Sequence, residues 1–172
     1  MTRTTPKTMR VLEVRDLAPG FAGCALTERD MPKPGDGEAL VEIRAAALGF
    51  PDLLMTEGKY QHKPDLPFVP GSECAGVVVS VGDDVTDIAP GDEVVVMCGT
   101  GGFAEYGVFP LSALRRKPAP FDFGQAAAFS AAYLTAYVSL VRRAHLQPGE
   151  WVLVHGAAGG VGLAAVDLAK AL

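Results

Sequence analysis

The chain contains no uninterrupted apolar run approaching about 18 residues, which excludes a membrane-spanning helix of ordinary length. It has only three cysteines, Cys24, Cys74 and Cys98, with no close spacing between any two. A disulfide framework or a Cys-x-x-Cys metal knuckle is therefore not expected, and reduced thiols in a cytoplasmic protein fit better. Basic charge is also short: the net charge is −5, against the basic face that a nucleic-acid partner favours. Arg115-Arg116-Lys117 and Arg142-Arg143 are brief clusters and read as solvated surface. Met1 to Arg10 lacks the apolar core of a secretion signal and reads as a loose polar tail.

Apolar content is ample: 49% of the residues are hydrophobic and no polar low-complexity tract interrupts them, so the chain can bury a core. Strand signals run from Val11 to about Pro120. Val11–Val14 and Ala39–Arg44 alternate, while Gly76–Val81 and Glu93–Met97 are β-branched runs bounded by Gly-Asp-Asp and Pro-Gly-Asp turns. Phe103–Val108 is a further short strand. Strands of this length and spacing predict a partly closed β-barrel. The pattern changes at Asp122, an N-cap candidate before an Ala-rich helical stretch that runs through Tyr133 and Leu140 to Arg143. A turn at Gln147–Glu150, a strand over Trp151–His155 and a helix over Gly159–Leu172 complete the pattern. That helix carries no stop signal, so the chain is expected to be the edge of something longer. The boundaries are 1–121 for the barrel and 122–172 for the following, incomplete unit.

The segment Gly156-Ala-Ala-Gly-Gly-Val-Gly162 joins the expected strand to the expected helix. Against the Gly-x-Gly-x-x-Gly fingerprint, Ala157 stands at the first glycine, Gly159 at the second and Gly162 at the third. The second needs no side chain because backbone approaches a pyrophosphate there, and the third lets helix pack on strand. Free N–H groups and the dipole at a helix start favour the phosphate charge. The strand–turn–helix context is what raises a lone glycine motif to a dinucleotide-site candidate. Gly160 and Val161 belong to the same turn. A ribose-binding acid or base about 20 residues further on lies past Leu172.

With these residues in view, the chain is similar to the N-terminal part of a medium-chain dehydrogenase/reductase, in its zinc-free quinone oxidoreductase branch. The resemblance is carried by Ala45–Tyr60, Leu66–Gly82, Gly101–Val108 and Phe123 to the end. It implies a mixed α/β chain: a GroES-like β-barrel domain followed by the beginning of a Rossmann dinucleotide-binding domain. It also implies a cofactor between the domains, usually NADPH, with NADH left open. Gly49, Phe50 and Thr135 fall at family positions near the nicotinamide, although the branch commonly carries Asn where this chain has Gly49. Ala157, Gly159, Gly160, Val161 and Gly162 fall at the pyrophosphate. Zinc-dependent relatives place a Cys at Gly49 and a His at Ser72, in Pro70-Gly-Ser-Glu-Cys74. Neither residue present supplies a soft ligand, so no metal is expected. His62, Cys74 and Cys98 read as a surface imidazole and buried or semi-buried thiols.

The activity implied is reduction of a quinone or an α,β-unsaturated carbonyl. Tyr60 resembles the tyrosine that zinc-free enoyl reductases place beside substrate, and is the candidate hydrogen-bond donor. A loop-anchoring tyrosine is its plainer reading. Asp52 reads as a helix cap before a general base, Glu73 as a structural hydrogen-bonding group, and His155 as a packed imidazole at a strand end. Small-molecule substrates, no nucleic acid, no membrane and a homo-oligomer when full length complete the expectation. Two alternatives stay open: an enoyl-thioester reductase, and a truncated, non-catalytic GroES-like binding or assembly module.

Overall fold

The structure is a computed structural model that describes residues 6–172. The expected polar tail falls partly outside it, since residues 1–5 are not described. Its remainder is corrected: Thr8–Arg10 belong to strand β1 (Thr8–Val14). Met9 is buried there, so an apolar contact and a ladder hold what the polar composition reads as loose.

β1 pairs antiparallel with β2 (Cys24–Asp30), in register from Thr8 opposite Asp30 to Val14 opposite Cys24. The main sheet has five antiparallel strands in the order β6-β3-β4-β5-β7. These are β3 (Glu38–Ala47), β4 (Glu73–Val81), β5 (Glu93–Met97), β6 (Tyr106–Pro110) and β7 (Leu114–Arg116). Two register shifts in β3, at Leu40/Val41 and Ile43/Ala45, bend the longest strand. Single bridges from Val11 to Ala104 and from Val14 to Phe68 tie the two-stranded ribbon to loops of the larger sheet. The inward face of Val41, Cys74, Val78, Val94, Val96, Phe109 and Leu114 forms the main core, the alternation expected of strands with one buried face. Of the expected strand Phe103–Val108, Tyr106–Val108 fall in β6, while Phe103–Glu105 precede it with a single bridge at Ala104.

Helix α1 (Phe50–Thr56) follows β3. Helix α2 (Phe123–Tyr137) starts in a reciprocal capping box: Asp122 accepts from Gln125 N–H at 2.7 Å, and Gln125 Oε1 accepts from Asp122 N–H at 3.0 Å. Its first residues, Ala126 and Ala127, pack with Phe121 and Phe123 on Ala75 and Val95. The small alanines let helix backbone lie close to the sheet. A π-helical turn, Val138–Arg143, ends the helical run.

The chain divides after Ala127 into a first compact unit and a second, Ala128–Leu172. In the second unit Tyr133 stacks on Phe129 at 4.2 Å and donates to Asp167 Oδ2 at 2.7 Å, joining α2 to helix α3 (Gly160–Ala171). That acceptor pushes the Tyr133 phenol above its ordinary range. The expected strand over Trp151–His155 is not formed. Trp151 is fully exposed and Leu153 is 83% exposed, and among the described residues no strand pairs with them. An extended apolar run becomes a strand only against a ladder partner. His155 is corrected with it: the imidazole sits exposed in a turn, not packed at a strand end.

The Arg115-Arg116-Lys117 cluster also departs in part from a solvated surface. Lys117 buries its side chain to 6% exposure, pairs with Glu93 at 3.1 Å, and lies 5.6 Å from the centre of the Phe123 ring. Arg115 and Arg116 remain exposed. No helix among the described residues is long and apolar enough to cross a membrane.

Candidate functional site

In the first unit, β3 ends at Ala47 and the chain turns through Gly49 into α1. Gly49 is the N-cap, and Asp52, three residues on, reaches back to accept from Gly49 N–H at 2.7 Å. This is the return half of a capping box, and the glycine leaves its other half empty. The same carboxylate crosses to the loop before β4. It accepts from Ser72 N–H at 3.0 Å and Gly71 N–H at 3.2 Å, and it lies 3.5 Å from the Ser72 hydroxyl. Asp52 is fully buried. A buried carboxylate is tolerable when several N–H donors replace its water, and that condition is met here. The reading of Asp52 as a cap therefore fits, with an addition that local sequence does not reveal: Asp52 fastens residue 49 to residue 72.

The loop at Gly71 has no spare room. Gly71 has φ +99°, and a Cβ there would stand 2.6 Å from Phe103 N and 2.8 Å from Gly102 C. Ser72 O accepts from Cys98 N–H at 2.9 Å and Gly99 N–H at 3.1 Å, fixing the far side of the loop. The Cys98 thiol donates to Gly71 O (3.3 Å) and Ser72 O (3.5 Å). The buried Cys74 thiol hydrogen bonds to Cys98, and that bond, with burial, pushes Cys74 far above the ordinary thiol range. The same bond pulls Cys98 below it, against the opposing effects of burial and of the Asp52 and Glu73 charges. Sequence spacing gives no sign of this contact, since the two cysteines are 24 positions apart. Glu73 is buried beside them.

Among the described residues, no group of three or more His, Cys, Asp or Glu is arranged to hold a metal ion. His62 is exposed in the loop 60–65. Tyr60 is half-buried and packs against the cluster of Val14, Met55 and Phe68, with its N–H donating to Leu54 O at 3.2 Å. Phe50, at the start of α1, is 71% exposed. A large aromatic ring left in water beside a loop–helix junction is an available contact surface.

The second unit holds the glycine turn and Thr135. Thr135 is exposed on α2, and its carbonyl accepts from Ser139 Oγ at 2.8 Å. Gly156 has φ +70°, and its carbonyl accepts from Gly159 N–H at 3.0 Å, closing the turn. Gly162 is dictated by packing: a Cβ there would meet Ala157 Cα at 2.8 Å and the Gly156 carbonyl oxygen nearer still. Gly159 and Gly160 are not. A Cβ on Gly160 would meet nothing within 4 Å, and one on Gly159 only Gly156 O at 3.5 Å. Gly159 caps α3 without a side chain, and the first turn of α3 carries no acidic residue. The positive helix end beside Gly160 and Val161 is thus open to an anion.

Residues 35–119 match the alcohol dehydrogenase GroES-like domain family. A quinone oxidoreductase-like protein 2 homolog from Nematostella vectensis is 49% identical over 136 residues, 78% of this chain and 37% of that protein. The structure of the quinone oxidoreductase from Thermus thermophilus, described with its NADPH complex, is 35% identical with a TM-score of 0.79. The alignment covers 95% of this chain and 50% of that one. A thermostable alcohol dehydrogenase from Pyrobaculum aerophilum, solved with cobalt and zinc bound, is 34% identical with a TM-score of 0.85, covering 96% and 57% respectively. This chain therefore spans about half the length of these solved structures, and less of the curated relative.

Proposed function

We infer the function from one premise: the chain belongs to the medium-chain dehydrogenase/reductase superfamily, as the N-terminal part of a member of its quinone oxidoreductase branch. Its first unit is the GroES-like domain and its second the beginning of a Rossmann domain. We propose that the full-length protein is an NADPH-dependent reductase of a quinone or an α,β-unsaturated carbonyl. The observation that carries this reading is the vacant space at Gly159 and Gly160 on an uncapped helix start. Nothing in the packing of the described residues requires glycine at these positions, whereas close approach of a pyrophosphate does.

The nicotinamide cofactor, when bound, supplies the hydride. The chain's residues bind and orient. N–H groups of Gly160, Val161 and Gly162 would hold phosphate oxygens, with Ala157 and Gly159 shaping the turn. Gly49, Phe50 and Thr135 would bound the nicotinamide end, and Tyr60 would donate a hydrogen bond to the acceptor oxygen as charge develops there. Asp52 supports the first of these by fixing Gly49. Catalysis would rest on placement, with no metal polarising the carbonyl. Zinc independence is part of the proposal and draws on residue chemistry: Gly49 and Ser72 offer no imidazole or thiol, and Asp52 already spends its oxygens on N–H donors. A small-molecule acceptor, a cytoplasmic setting and a homo-oligomeric full-length protein belong to the same reading.

A second reading is favoured by Trp151, which lies fully exposed in a segment without a ladder partner among the described residues. The glycine turn then lacks a sheet behind it, and the 172 residues in isolation would serve as a binding or assembly module. NADPH titration of the folded 172-residue chain, followed by nicotinamide fluorescence, separates the two. Saturable binding that Gly160→Ala weakens supports the cofactor site. Absence of binding by a chain with intact circular dichroism assigns it the module reading. Acceptor reduction by the full-length protein with NADPH, undiminished by chelator, tests the activity.

A further inference from the structure

Cys74 and Cys98 meet because of strand register. Cys74 opposes Val96 across β4 and β5, and the Cys98 N–H continues that ladder by donating to Ser72 O. Residues two apart along a strand direction share a face, so Cys98 is the diagonal neighbour of Cys74. Both side chains pack into the same apolar cluster with Val94 and Val96. Accessibility is unequal. Cys74 is fully buried, whereas Cys98 is half-buried and lines a depression of about 450 Å³ with Met97, Thr100, Phe109 and Ser112. Cys98 is thus the member of the pair nearer to solvent. Cys24 has no such partner; it is packed near Val14, Met55 and Phe68, and burial raises its thiol.

We propose that Cys98 and Cys74 form a peroxide-oxidisable pair, in which Cys98 takes up the oxygen and Cys74 resolves it as an intrachain disulfide. In the first step the Cys98 sulfur attacks hydrogen peroxide: an S–O bond forms, the O–O bond breaks, and the departing oxygen leaves as water after taking the thiol proton. The product is a sulfenic acid. In the second step the Cys74 sulfur attacks the Cys98 sulfur. The S–S bond forms, the S–O bond breaks, and the hydroxyl leaves with the Cys74 proton as water. The two thiols lose two electrons and two protons, and one peroxide becomes two waters.

Bond formation brings the sulfurs to about 2.05 Å, which requires the Cys98 side chain to turn from the Gly71 and Ser72 carbonyls toward Cys74. The hydrogen bonds from its thiol to Gly71 O and Ser72 O are then lost, while the backbone bond from Cys98 N–H to Ser72 O keeps the loop in place. Oxidation therefore removes one tether from the loop that Asp52 holds on its other side.

The test is hydrogen peroxide titration of the full chain with thiol mapping by mass spectrometry. Cleavage at Glu93 separates the two cysteines in sequence. The expected result is a mass loss of two hydrogens, with the fragments on either side of Glu93 joined until reduced. Cys98 should be consumed at least about tenfold faster than Cys24. In Cys74→Ser, Cys98 should be trapped as a sulfenic acid by dimedone; in Cys98→Ser, Cys74 should stay reduced at the same dose. The wild-type mapping stands even if a variant fails to fold. The proposal is overturned if Cys24 reacts as fast as Cys98, if Cys98 advances to sulfinic acid while Cys74 remains alkylatable, or if Cys74 oxidises without Cys98.

Discussion

Two glycine-bearing loops of this chain use the missing side chain in opposite ways. At Gly71 the space is already filled by Phe103 and Gly102, and the loop's N–H groups are taken by the Asp52 carboxylate. At Gly159 and Gly160 the space is vacant and no side chain caps the helix start. The first loop is complete within its own unit. The second has donors and room that none of the described residues occupies. Glycine content alone does not distinguish the two; what a Cβ would meet does.

The first loop breaks most severely through Asp52. Asp52→Ala removes the acceptor for Gly49, Ser72 and Gly71 N–H in a buried place, and each buried donor left unpaired costs about 1–3 kcal/mol. Partial entry of water reduces the sum, so a loss of about 3–5 kcal/mol is expected from denaturant unfolding of the first unit. Asp52→Asn keeps one acceptor but turns an amide donor toward a donor, and should lose less. A loss below about 1 kcal/mol for Asp52→Ala would show that the carboxylate does not fasten the loop.

The second loop should respond the other way, with function and fold separating by position. Gly160→Ala meets no neighbour, so its circular dichroism and unfolding midpoint should match the parent while NADPH binding weakens at least about tenfold, or about 1.4 kcal/mol. Gly162→Ala pushes a methyl into the Gly156–Ala157 backbone and should lose binding together with the turn. Equal NADPH affinity in Gly160→Ala and the parent would remove the basis for a phosphate cradle there.

Legibility in the sequence followed the range of the interaction that decides each element. The β-branched runs of β4 and β5 are strands because local preference and burial agree. β2 escaped notice: Cys24-Ala-Leu-Thr-Glu-Arg-Asp30 is polar with one β-branched residue, and pairing with β1 makes it a strand. Trp151–Val154 errs in the opposite sense, with strand composition but no ladder partner among the described residues. At the candidate site Asp52 reads as a cap from its place near a loop-to-helix step, though not as the N3 partner of Gly49. Its reach to Ser72 and the Cys74–Cys98 contact depend on a loop crossing and on strand register, which no local pattern encodes.

The smallest expected effect tests how self-sufficient the first unit's electrostatics are. Glu13 is nearly buried between Arg29 and Arg15, hydrogen bonded to both, the latter at 3.0 Å. Those guanidiniums, Arg29 first, hold its carboxyl below the usual 4.5. A folded-state pKa depressed below the unfolded one stabilises the fold above about pH 4.5, and that stability is lost as pH falls through the depressed value. Glu13→Gln should therefore lower Tm by about 2–4 °C at neutral pH. The gap to the parent should close progressively below pH 4.5, where the parent's own Glu13 becomes protonated. Arg10–Glu105 has the same sign but stands exposed, with side chains 76% and 42% accessible, so its contribution should fade in salt while that of Glu13 persists. A Glu13→Gln deficit that is independent of pH would mean that packing of the side chain, and not its charge, is what the strand ribbon requires.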